Sequence, residues 1–106
     1  MNDVATPAPD MSVGCEPHDG GWRCSVTVGD DVGATEHSVL VDRETLDDLA
    51  PGGDPEDLVR ASFEFLLERE PRASIMRSFE LPIIGRFFAD YPGEIRRRLG
   101  HGSGGA

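Results

Sequence analysis

Apolar and polar residues alternate from Trp22 to Val28 and again from Thr35 to Val41, then change to a helical rhythm from residue 58 onward. In the first segment Trp22, Cys24, Val26 and Val28 share one face and Arg23, Ser25 and Thr27 the other. That period of two is the pattern of a half-buried antiparallel strand. In the second segment His37, Val39 and Val41 share a face. Met11 to Glu16 reads as a further short strand. The PHDGG run at 17–21 is a turn by composition, and GDDVGA at 29–34 is a loop.

The strongest helical signal runs from Asp54 to Arg69. Asp54 is suited to the N-cap, because its carboxylate can accept from the free amides of the first turn. Pro55 sits where its missing N–H costs nothing, and Glu56 and Asp57 place negative charge at the positive end of the dipole. Pro71 stops the helix. At about 100° per residue, Leu58, Val59, Phe63, Phe65, Leu66 and Leu67, with Ser62, sweep well over half the circumference. Asp57, Arg60, Glu64 and Glu68 share the remaining wedge. A sweep wider than an ordinary surface helix has to be covered on two sides, by other elements or by another subunit.

Around this helix the pattern predicts shorter ones. Asp42 caps a short helix through about Ala50, with Leu46 and Leu49 as its apolar contacts, and PGG at 51–53 ends it. Residues 72–80 supply one more turn. Pro82 opens a helix carrying Ile83, Ile84, Phe87, Phe88 and Tyr91, which Pro92 and Gly93 interrupt. Glu94 to Leu99 is a last short helix closed by Gly100. The expected fold is α+β: a small antiparallel sheet of two or three strands, packed by one long central helix and short C-terminal helices. Residues 1–10 are expected to be a disordered N-terminal segment, 11–99 the single α+β domain, and 100–106 a flexible Gly-rich tail.

Charge narrows the function classes. The chain has 106 residues, 20 Asp and Glu, ten Arg, no Lys, and a net charge of −10. Residues 1–58 carry a net −12 and residues 59–106 a net +2. Such an excess of acid repels nucleic acid and anionic membranes at long range. No apolar run is long enough to span a membrane, and the start of the chain lacks the basic and apolar regions of a secretory signal. The expected localisation is therefore the cytoplasm, where thiols stay reduced.

Two constellations carry possible chemistry. Cys15, His18, Cys24 and His37 have side chains that zinc accepts, and a turn centred on residues 19 and 20 sets Cys15 opposite Cys24. Three readings stay open: two reduced thiols, a cross-strand disulfide, or a zinc site. His37 alone is read as a strand histidine at the sheet surface or edge, with a general base or pH switch as the alternative. Arg96, Arg97 and Arg98, with Arg86 nearby, form a basic patch, and the acids Asp90 and Glu94 beside it point to salt bridges. No Gly-x-Ser-x-Gly motif and no phosphate-binding Gly-rich loop is present.

The SFEFLLEREP stretch at 62–71 and SIMRSFELPIIGRFF at 74–88 resemble a family of short bacterial proteins without assigned function, over roughly residues 22–91. The shared residues are mostly apolar, so the resemblance implies common packing and carries no catalytic residue. A looser similarity is to small antitoxin domains of the HicB type. The apolar run from Ile75 to Tyr91 exceeds what a two- or three-stranded sheet covers, and exposed apolar patches mark interfaces. The expected function is thus a cytosolic protein-interaction or regulatory module, without catalytic activity or cofactor, whose partner is a protein, itself included as a homodimer. The expected interface is Phe79, Ile83, Ile84, Phe87, Phe88 and Tyr91. The alternatives are a zinc protein using the Cys/His set and an antitoxin-like domain associated with RNA or a toxin.

Overall fold

The structure, a computed structural model, describes residues 11–29 and 33–104, with side chains as far as residue 99. The segment expected to be disordered, 1–10, lies outside the described residues, as do 105 and 106 of the expected tail. Asp19 and Gly20 take positive φ angles of 48° and 80°, a two-residue turn whose twist matches the strands on either side. It joins β1 (Met11–His18) to β2 (Gly21–Gly29), and β3 (Ala34–Asp42) follows, each antiparallel to the last. Gly21 lies opposite Asp42, where a Cβ would collide with the Val41 carbonyl oxygen, so the close approach of β2 and β3 requires glycine there.

Among the described residues the sheet has four strands, not two or three, and it is mixed. A fourth strand, β4 (Ser78–Glu80), runs parallel to β3 with Phe79 opposite Val39. The crossover between them contains α1 (Arg43–Leu49) and α2 (Pro55–Leu67). Parallel neighbours need such a long connection, because a hairpin cannot reverse direction twice. Asp42 caps α1 as the sequence indicates, its carboxylate accepting from the Thr45 amide at 2.7 Å. Asp54 occupies the N-cap of α2, but its side chain makes no capping hydrogen bond there.

The wide apolar face of α2 is covered within the chain. Phe63 faces the sheet, 5.2 Å from the His37 ring and 6.1 Å from Phe79. Phe65 faces the other way, 5.3 Å from Tyr91. Tyr91 opens α4 (Tyr91–Gly104), whose first turn holds Pro92 and Gly93 instead of being interrupted by them. The chain before it breaks up more than its apolar spacing suggests. A 3-10 turn at Arg72–Ser74 precedes β4, another at Leu81–Ile83 follows it, and α3 (Ile84–Phe87) is a single turn. Helix α4 also continues past Gly100 to Gly104. No helix of the described residues is long and apolar enough to cross a membrane.

Among the described residues strand β1 is the long free edge of the sheet, and α2 shields it. The Cys15 N–H points outward to the Glu56 carboxylate at 3.4 Å, and Arg60 donates to the Met11 carbonyl oxygen at 3.4 Å. Pro17 on the same strand offers no amide. These are the devices that stop an exposed edge from recruiting another strand.

Candidate functional site

Where α2 ends, the chain turns back through residues 72–76 and then along β4 and α3, enclosing an apolar groove of ≈ 210 Å³. Its floor is core: Leu66, Ile75, Phe79 and Ile84 are all buried. Its walls are the half-buried Ile83 and Phe88. Its rim is Met76, 43% exposed, and Phe87, 66% exposed. Glu70 and Ser74 add polar atoms on one side. A cavity this size falls below the roughly 300–1,000 Å³ of small-molecule pockets, so it suits one or two side chains better than a cofactor.

The wall at residues 75–77 is held by the sheet. His37, on the core face of β3 and only 3% exposed, hydrogen-bonds the Met76 carbonyl oxygen through Nδ1 at 2.7 Å. A carbonyl only accepts, so Nδ1 carries the proton and, in the neutral ring, Nε2 accepts from the Thr35 hydroxyl at 2.8 Å. The Ser38 amide donates to the Arg77 carbonyl oxygen at 2.7 Å. His37 is thus neither a surface histidine nor a ligand. Both of its ring nitrogens are spent on fixing Met76 and β3.

Of the six residues expected at an interface, five line this groove and Tyr91 does not. Tyr91 is 1% exposed, and its hydroxyl lies 2.7 Å from Ser62 Oγ. Ser62 donates to the Leu58 carbonyl oxygen at 2.8 Å, which leaves the Tyr91 O–H as donor to Ser62. Burial pushes the Tyr91 phenol well above its ordinary pKa of 10.0. Glu70 and Ser74 are groove residues that apolar periodicity could not flag, because only the turn after α2 brings them there.

The proposed zinc ligands do not converge. Cys15 and Cys24 lie directly opposite each other across β1 and β2 and form a disulfide. The Cys15 amide points away from β2, which makes this a non-hydrogen-bonded pair, the kind in which facing side chains come closest. Bridged sulfurs cannot serve as thiolate ligands. His18 interacts with Asp19 and Arg23 at the surface, while His37 is committed to Met76. Among the described residues, no group of three or more His, Cys, Asp or Glu is placed to hold a metal ion. The thiols expected in a cytoplasmic chain are therefore oxidised here.

Three arginines of the basic patch, those on α4, are neutralised from within, whereas Arg86 has no ion pair among the described residues. Arg96 binds Asp48 at 2.9 Å, Arg97 binds Glu94, and Arg98 binds Glu94 at 3.0 Å and Glu68 at 2.6 Å. The Arg98 hydrogen bond, followed by that of Arg97, holds the Glu94 carboxyl below the usual glutamate range. Arg69 joins the network through Asp90 at 2.9 Å and lies 3.7 Å above the Phe65 ring. Comparison with protein-family models, with curated proteins and with solved structures finds no match to this chain.

Proposed function

We propose that the protein is an interaction module that accepts apolar side chains of a protein partner in the groove between α2, residues 72–76 and α3. The observation that supports this reading is Phe87. A phenylalanine 66% exposed beside an apolar cavity leaves unburied surface worth about 1–2 kcal/mol on full burial. Large apolar side chains grouped around a pocket are the usual anchors of protein association. The arginines of α4 add nothing to an RNA reading, because each is paired with an acid of the same chain. The same proposal places the protein where the Cys15–Cys24 bridge persists, an oxidising compartment in place of the cytoplasm.

The test is a photo-crosslinking residue in place of Phe87, irradiated in cells that make the full chain. We expect a protein adduct that a Met76→Glu change at the rim abolishes. The same crosslinker at the exposed Glu36 of β3 serves as the control. No adduct at residue 87, or the same adduct from residue 36, would refute the proposal.

A further inference from the structure

Resting on that reading, we propose that the occupant of the groove is a second copy of this chain, docked about a twofold axis so that Phe87 of each copy enters the groove of the other. A symmetric interface must be complementary to itself. This patch presents a projecting ring, Phe87, directly beside a cavity lined by Leu66, Ile75 and Phe79. Hole and knob on one surface are what a twofold contact uses twice.

The charges follow the same rule. Glu70 lines the groove, and Arg86 adjoins the projecting Phe87. Neither side chain has an ion pair or hydrogen bond among the described residues. A foreign partner of one charge sign would be met by a patch of the opposite sign. A patch carrying one acid in the hole and one base beside the knob matches its own copy, Arg86 to Glu70 in both directions. The wider charge distribution favours this face as well. The first 58 residues carry a net −12 and would repel a second copy, whereas the groove is built wholly from the half that carries a net +2. The competing route to self-association, edge pairing, is blocked at β1 by Glu56, Arg60 and Pro17. At the other edge, β4 has only three residues.

The experiment is sedimentation equilibrium of the purified, oxidised full chain over a wide concentration range, with native mass spectrometry for the mass. We expect a reversible dimer of twice 11.5 kDa. Phe87→Ala, which truncates both knobs at once, raises the dissociation constant by about 30- to 1,000-fold. Glu70→Arg and Arg86→Glu each weaken the dimer, and the double exchange restores it. Circular dichroism verifies that each variant is folded. A wild-type chain that stays monomeric, or a double exchange no better than the singles, overturns the twofold contact. A monomer whose residue-87 crosslinker captures a protein of another mass refutes the second copy and leaves the interaction module standing. A monomer with no adduct removes both.

Discussion

Phe65 and Phe87 belong to the same C-terminal apolar surface, yet one is fully buried and the other is 66% exposed. The difference lies in what covers them. Helix α4 lies over Phe65, bringing Tyr91 into edge contact at 5.3 Å and Ile95 into the core. The arginines along that seam are all paired: Arg69 with Asp90, Arg96 with Asp48, Arg98 with Glu68 and Glu94. Among the described residues nothing lies on top of Phe87, and Arg86 beside it and Glu70 in the groove have no ion partner. Apolar surface and unpaired charge left together at one end of a molecule, with both settled at the other, distinguish a contact surface from a core.

Phe65→Ala should cost about 3–5 kcal/mol, because it opens a cavity between α2 and α4 that no neighbour can fill. In a domain of about 5–15 kcal/mol total stability that removes about a third or more of the total at mid-range, and only at the lowest end does it leave about half the population unfolded at room temperature. Urea denaturation followed by circular dichroism measures it. A loss under 1 kcal/mol would show that the α4 side is as loosely covered as the groove, and the comparison would collapse.

Reducing the Cys15–Cys24 bridge ranks next. Releasing a loop of this length should cost about 2.5 kcal/mol through the entropy of the unfolded chain. The bridge sits on the sheet side of α2, remote from the groove, so reduction should lower the melting temperature without changing the effect of groove variants. Non-additive changes in the reduced Phe87→Ala protein would couple two regions that the structure keeps apart.

The Ser62–Tyr91 hydrogen bond gives the third test. Ser62→Ala strands the buried Tyr91 O–H without an acceptor, at about 1–3 kcal/mol. Tyr91→Phe leaves Ser62 bonded to the Leu58 carbonyl and should cost less, about 0.5–1.5 kcal/mol. The pH dependence follows from the raised phenol. An acid whose folded pKa exceeds its unfolded value adds stability that is fully present below the unfolded value and is lost as pH rises toward the folded one. Stability should therefore fall as pH rises above 10.0. Tyr91 is the one tyrosine of the chain, so ultraviolet titration of the phenolate reports it alone. A phenolate appearing at the ordinary value would mean that α4 does not seal this site.

These contrasts were unequally legible in the sequence. The faces of β2 and β3 and the buried stripe of α2 follow from periodicity, since burial of one face is all that periodicity encodes. Strand β4 escaped because three residues with a single apolar centre, Phe79, make no alternation to detect. The Cys15–Cys24 register was readable from the turn, but its oxidation was not, because a presumed compartment stood in for geometry. The fate of Arg96, Arg97 and Arg98 depends on Asp48, Glu68 and Glu94, two of which reach them only through the tertiary fold. Likewise Tyr91 and Phe87 share one helical rhythm in sequence. The extended backbone at Phe88, φ −132° and ψ 102°, breaks that rhythm and sends them to opposite environments.

Phe87 itself should matter least to the stability of the isolated chain. Phe87→Ser, measured at a concentration low enough to keep the chain monomeric, should change stability by no more than about 0.5 kcal/mol, as for surface positions generally. The side chain has little contact to lose in the monomer, so its removal neither opens a cavity nor strands a polar group. At high concentration the two proteins should diverge. The wild-type melting temperature rises with concentration, because association stabilises only the folded state, whereas the serine variant melts at one temperature throughout. Equal melting at both concentrations for both proteins would make Phe87 a mere surface residue. A large loss already in the dilute variant would make it core. Only a difference that grows with concentration fits a ring whose cover comes from another molecule.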